Sequence, residues 1–383
     1  MIQWREGLLW LLWLPVCCWA GARGSEALVS TRGLELKPIA AGKDAGKRRA
    51  EQTFAFDLGK CRYAIRYSAV VDPKEPGKVF PGEGAVGMPS PCSCNWYHSG
   101  FLFVRVNGEE VGSAPLACGL VAESGSRAIA DLVWEARPAR VRLRFAGRPG
   151  DDKLLCEIAL EPKEEVRELR VVLRCYPSFF TSWFKREGAR RVATPSATLE
   201  QGQNVSLDAA KHWYAVYYDT VFDVARGEGE GPCAMLLAPE GVETVKFRVG
   251  SYAVDTELVC RPEARAVRLA FWEFPQVANG SALAAFRAGA GRWEEELKGF
   301  DFTPAAVRGF DAKAELAELG GLTARPGVRA ALGAKADEFR KRIEGLAAGG
   351  GGLGILQEAE LLGLLAGYRE FLWELRVAAL LGE

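Results

Sequence analysis

The chain reads as a mainly β protein, a large antiparallel β-sandwich followed by a C-terminal α-helical hairpin. Three observations predict this. Between Phe54 and Phe274, apolar side chains recur at every second residue in many short runs. Gly, Pro, Asn and Asp separate these runs, and no helical stretch intervenes. Beyond Pro304 the apolar spacing changes to three or four residues.

The first 22 residues stand apart. Arg5 precedes an apolar run from Leu8 to Ala22, which ends in the small residues Ala20-Gly21-Ala22. That pattern predicts a signal peptide over 1–22 and an exported, periplasmic or secreted protein. The run is short for a membrane span, which needs about 20 apolar residues; an uncleaved N-terminal anchor is the alternative. Val16 stands before Cys17, where a lipoprotein signal wants a small residue. No later segment is long and apolar enough to span a bilayer. Residues 23–52 are polar, with Lys43, Lys47, Arg48 and Arg49 near the end, and read as a lead-in.

The sandwich is expected over 53–300. Cys61 to Tyr67 alternates, and a Pro- and Gly-rich loop from Asp72 to Ser99 follows, long enough to suggest a function. Phe101 to Val106 runs into Asn107-Gly108, a strong hairpin signal. Further strands are expected at Arg140–Phe145, Leu154–Leu160, Val166–Cys175, Trp213–Val224, Cys233–Leu237, Val245–Val249 and Val267–Phe274. Their half-polar faces favour antiparallel pairing, because parallel strands are apolar on both sides. Ser281 to Leu297 is expected to be a helix that packs back on the sandwich. In 301–383, Val328, Leu332, Ala336, Phe339, Ile343 and Leu346 form one apolar stripe. Leu361, Leu365, Tyr368, Leu372 and Leu375 form a second. Neither helix is stable alone, so the two must bury each other or a sheet edge.

Charge and motifs exclude several classes. The 49 basic and 49 acidic residues cancel, which gives no basis for a nucleic-acid partner. There is no phosphate loop and no Gly-x-Ser-x-Gly elbow; Gly227 to Gly231 reads as an acidic hairpin loop. No cofactor is indicated. The paired Cys-x-x-Cys segments that a zinc site wants are absent. Cys61, Cys156 and Cys175 fall on apolar strand faces and read as buried thiols, while Cys92 or Cys94 is a candidate partner for Cys118. Asn204 and Asn279 begin Asn-x-Ser sequences, which matter only in a eukaryotic secretory pathway.

Aromatic and polar groups gather in three segments. One is Asn95-Trp96-Tyr97-His98, where exposure of Trp96 and His98 is expected. The second runs from Tyr176 through Trp183 to Arg186, and the third is His212-Trp213-Tyr214 with Tyr217 and Asp219. Trp272 and Glu273 end a late strand. Aromatic faces stack on sugar rings while Asn, Asp, Glu and Arg bind hydroxyls, so these segments point to a carbohydrate ligand. The candidate binding residues are Asn95, Trp96, Tyr176, Trp183, Arg186, Trp213, Tyr217, Asp219 and Trp272. Asp219 and Glu273 are also candidates for a glycosidase pair, which would stand roughly 5–9.5 Å apart.

With the order His98, His212, Glu273, the region 54–300 resembles the galactose-mutarotase-like supersandwich. His98-Ser99-Gly100 is similar to that family's first histidine segment, and His212-Trp213-Tyr214 to its second. The resemblance implies a sugar bound on a concave sheet face. In an epimerase it implies histidine as general acid and Glu273 as general base. The Asn and Arg signature before the first histidine is absent, and the helical tail lies outside the usual epimerase. The expected function is therefore saccharide binding by an exported sandwich. The alternatives are a sugar-active enzyme on the same fold (epimerase, lyase or glycosidase) and a cell-envelope interaction protein that docks through its helices.

Overall fold

The computed structural model describes residues 26–75, 78–80, 82, 84–177, 188–348 and 353–381. Two large antiparallel sheets face each other. The first contains β1 (Leu28–Thr31), β2 (Glu35–Pro38), β3 (Arg48–Asp57), β4 (Arg62–Val71), β5 (Ala85–Ser90), β6 (Leu102–Val106), β7 (Glu109–Glu110), β12 (Leu169–Cys175), β15 (Asn204–Asp208), β18 (Val242–Val249) and β19 (Val254–Cys260). Its order is β1-β3-β4-β5-β6-β12-β19-β18-β15, with β2 on β3 and β7 on β6. The second contains β8 (Leu116–Glu123), β9 (Ala128–Glu135), β10 (Ala139–Gly147), β11 (Lys153–Pro162), β13 (Arg190–Ala193), β14 (Thr198–Glu200), β16 (Tyr214–Asp219), β17 (Cys233–Ala238) and β20 (Ala266–Glu273). Its order is β14-β13-β16-β17-β20-β11-β10-β9-β8.

The expected alternation fills the space between the sheets. Phe54, Phe56, Ile65 and Tyr67 of the first sheet meet Leu132, Trp134, Leu143, Phe145 and Phe271 of the second. At the Asn107-Gly108 hairpin both residues have positive φ, 50° and 81°, the backbone that a tight two-residue turn requires. The segment read as a lead-in differs from expectation. It supplies β1, β2 and the start of β3, because Leu36, Ala50 and their neighbours find an open sheet edge to pair with. Ala27 then bridges to Gly125, and Gln52 donates to the Gly119 carbonyl (3.2 Å), closing one side of the sandwich.

The central strands of the second sheet are buried on both faces. All six residues of β17, Cys-Ala-Met-Leu-Leu-Ala, are buried. The cover on its outer face begins with α1 (Asn279–Gly299), whose Phe286, Ala290 and Leu297 pack on Leu155, Leu236, Ala270 and Trp272. After α2 (Ala305–Arg308) come α3 (Ala312–Thr323), α4 (Pro326–Ala347) and α5 (Ile355–Leu381). Asp311 caps α3 by accepting from the Lys313 and Ala314 amides, and Pro326 opens α4. The two predicted stripes do bury each other, with Val328, Ala336 and Ile343 against Leu361, Leu365, Tyr368 and Leu375. The tail is therefore a helical cluster built around the expected hairpin. Among the described residues no helix is long and apolar enough to cross a membrane.

An ion network ties α5 to the sheet. Arg144 is fully buried; it donates to both Asp131 oxygens (2.7 and 2.6 Å), to Glu358 of α5 (2.6 Å) and to the Phe302 carbonyl (3.0 Å). Arg142 reaches the other Glu358 oxygen (2.7 Å) and Glu157 (3.3 Å). Burial alone would raise the Glu358 pKa, but Arg144 and Arg142 outweigh it and hold the carboxyl below its usual value. Glu358→Ala is expected to cost about 3 kcal/mol, since it leaves two buried guanidiniums short of a partner. Urea unfolding at pH 7 checks this. Glu358 stabilises the fold above pH ~4.5 and the contribution is lost as pH falls through its lower folded pKa, so the gap between wild type and variant should close in acid.

Candidate functional site

The long loop between β5 and β6 returns to one end of the sandwich, and acidic side chains fix it there. Glu230, in the loop before β17, accepts from the Ser93 amide (3.2 Å), the Ser93 hydroxyl (3.2 Å) and the Cys94 amide (2.7 Å). Glu273, the last residue of β20, accepts from Asn95 Nδ2 (2.6 Å) and the Trp96 amide (3.4 Å). Asn95 also donates to the Gly231 carbonyl (3.0 Å). Trp96 is fully buried, contrary to the exposure expected of it. Its ring packs edge-on against Tyr217 and Phe271, and Nε1 donates to the Trp272 carbonyl (3.3 Å). A bulky apolar ring in a polar loop lowers the free energy most by entering the core, and here it pins the loop.

Pinning Trp96 inward turns the next two residues outward. Tyr97 contacts His98 (ring centroids 4.4 Å apart) and Tyr176 (4.7 Å), and Tyr176 contacts Tyr252 in the β18–β19 turn (4.8 Å). Four rings thus form one continuous row along the rim. Tyr252 is 47% exposed, Tyr97 and His98 are half-buried, and Tyr176 lies beneath them. His98 Nδ1 donates to the Ser93 carbonyl (3.1 Å), which leaves Nε2 as the acceptor nitrogen. Burial, with Tyr252 alongside, pushes the Tyr176 hydroxyl up to about 12.

The other nominated residues go elsewhere. His212 precedes β16, where Nδ1 shares a hydrogen bond with Thr194 Oγ1 (2.9 Å), and burial lowers its pKa. Strand register separates it from Glu273. Tyr217 pairs with Cys233, and Cys233 with Glu273, so His212 is five residues down the strand, roughly 17 Å away. His98, His212 and Glu273 therefore do not form one site. Tyr217 is fully buried with its hydroxyl on Thr256 Oγ1 (2.8 Å), so it cannot meet a ligand. Asp219 is buried and ion-paired to Arg190, and β17 separates its strand from that of Glu273. As a glycosidase pair, neither carboxylate can reach a bound sugar. Trp272 lies under α1 against Phe286 and Trp293, and Trp213 is half-buried against Tyr214. Trp183, Arg186 and the 1–22 segment lie outside the described residues.

The thiols also differ from expectation. All eight described cysteines are unpaired. Cys92 and Cys94 sit beside Glu230 and Glu273, whereas Cys118 is on β8, four strands beyond β20 in the same sheet and roughly 19 Å off. Burial pushes Cys94 and Cys118 each up to about 11, so both are weak nucleophiles at neutral pH. Sequence reasoning passed over Tyr252 and Glu230. An aromatic in the Gly250-Ser251-Tyr252 turn, with no apolar partner in sequence, was the available signal for Tyr252.

No known family model matches the chain, and no curated protein matches it in sequence. Solved structures match it weakly, at the level of fold pattern. An α-N-acetylgalactosaminidase from Bifidobacterium bifidum aligns at TM-score 0.38 and 10% identity, over 73% of this chain and 40% of that one. A Paenibacillus xanthan lyase aligns at 0.37 and 10%, over 67% and 26%. A candidate aldose 1-epimerase from Escherichia coli K12 aligns at 0.29 and 12%, over 63% and 100%. The chain spans about two fifths of the length of the α-galactosidase and the α-N-acetylgalactosaminidase it matches. At these scores the likeness carries nothing about family or chemistry.

Two predictions follow from the loop anchors. Burial, with Glu230 adding, holds the Glu273 pKa well above 4.5 against the opposing Asn95 hydrogen bond. The protonated form is thus favoured in the fold, and stability from this group falls as pH rises above ~4.5 through the folded pKa. Glu273→Gln, which imitates the protonated acid, should raise Tm at pH 8 by roughly 2–3 °C and flatten the pH dependence in differential scanning calorimetry. Glu230→Ala should leave the global Tm nearly unchanged while hydrogen exchange of the Cys94 and His98 amides speeds at least tenfold, on the order of 1.4 kcal/mol of local opening.

Proposed function

We propose that this chain is an exported saccharide-binding protein whose ligand lies across the Tyr97–Tyr176–Tyr252 row, with His98 at one end. The observation that carries the reading is the row itself. Contiguous, mutually tilted aromatic rings at a partly exposed rim offer a cluster of apolar ring surface against which sugar C–H groups can pack. Glu230 and the loop amides fix the row before any ligand arrives, which lowers the ordering cost of binding. The apolar leader supports export, where free saccharides and polysaccharides are met.

A sugar-active enzyme on the same fold is the second reading; His98 at the end of the row, with Nε2 free to accept a proton, is the observation that favours it. It would need a base and an acid other than the separated His212 and Glu273. The experiment is a glycan-array screen followed by calorimetric titration of any hit. Tyr252→Ala and Tyr97→Ala should each weaken binding roughly three- to tenfold, while Trp213→Ala should leave it unchanged. A blank array from folded protein overturns the proposal. Exchange of anomers faster than the uncatalysed rate, lost in His98→Ala, moves the assignment to an epimerase.

A further inference from the structure

The C-terminal half of α5 carries large apolar residues on its outer side. Trp373 is 67% exposed, Val377 36%, Leu380 85% and Leu381 70%. Their spacing puts them on one face of the helix. The stripe continues toward the start of the helix as Ala366, Leu362 and Ala359, which are small or recessed. There an open groove of about 470 Å³ runs between α5 and the β8–β9 turn, lined by Leu362, Leu365, Ala366, Val121 and Ala122. The only charged residues on the face between the two halves are Arg369 and Glu370, both exposed, and neither forms an ion pair among the described residues. Glu374 and Arg376, by contrast, are already paired, to Lys335 and Glu318.

We propose that this face binds a second copy of the chain, with α5 packed antiparallel on its counterpart about a twofold axis between Arg369 and Glu370. That register sets each large residue against a small or recessed one. Trp373 faces Ala366 of the partner subunit, Val377 faces Leu362 of the partner subunit, and Leu380 faces Ala359 of the partner subunit. At the axis Arg369 meets Glu370 of the partner subunit, twice, so the unpaired charges become complementary. The same patch serves both copies, as a twofold interface requires. The exposed stripe alone offers on the order of 500 Å² per chain. Two copies therefore reach about 1,000 Å², the lower bound for a specific interface, before the groove adds to it. With four Glu and two Arg, α5 is net acidic, so an anionic lipid surface does not compete as the occupant.

Sedimentation equilibrium of the purified chain tests this. A concentration-dependent dimer is expected. Trp373→Lys should raise its dissociation constant at least about 30-fold, as loss of a central aromatic anchor does. Arg369→Glu should also weaken it, by placing like charges at the axis, and the double exchange Arg369→Glu with Glu370→Arg should restore it. All three positions are exposed, so circular dichroism should show each variant folded. A monomer at every concentration overturns the proposal, as does a dimer indifferent to Trp373→Lys or a double exchange that fails to restore association.

Discussion

Burial of the central strands of the second sheet on both faces is the constraint on which the rest depends. A strand such as β17, apolar on each side, has no stable state facing water. The sheet needs the first sheet on one side and a helical layer on the other. The helices after Phe274 are therefore part of the same folding unit. Arg144 is the point where this layer is keyed. Its guanidinium gathers Asp131, Glu358 and a carbonyl from the segment after α1, so sheet, connector and α5 meet at one buried cation. An apolar layer alone would tolerate sliding, and the directional ion pairs fix its register.

The same cover decides where a ligand can approach. A sandwich that binds sugar on an open sheet face must leave that face bare, and here α1 and α5 occupy the outer face of the second sheet. The outer face of the first sheet carries interlocked charges such as Arg170–Glu257–Lys246 and Arg174–Asp255–Arg248. The aromatic row sits at neither face. It lies at an end, where a loop, a strand terminus and a turn converge. A rim site of this kind is set by loop anchoring more than by sheet curvature.

How much of this the sequence disclosed depends on whether the information was local. The alternation in β4 and β12 marked the first sheet and its inner face residue by residue, because one side of each strand meets water. The helical stripes of α4 and α5 were legible for the same reason. β1 and β2 were not, since Leu28 and Leu36 acquire their strand state from the edge they join. The site was legible only as a segment. Trp96 and Tyr97 are adjacent aromatics of similar character, and the choice of which one enters the core is made by Tyr217, Phe271 and Glu273, more than 100 residues away. His212 looked close to the other candidates because sequence order carries no strand register. The acidic Gly227–Gly231 loop read as a solvated turn, and only the fold brings Glu230 to the Ser93 and Cys94 amides.

The order of the strands has a kinetic side. β6 pairs with β12 and β12 with β19, while β11 pairs with β20, so the central ladders join segments separated by roughly 65 to 110 residues of chain. Closing such loops comes late and slowly, because the chain entropy is lost before the pairing is gained. The second sheet is therefore complete only once α1 and α5 have docked on its outer face. The joining of distant segments thus sets how long the apolar faces of β17 stay open to wrong partners.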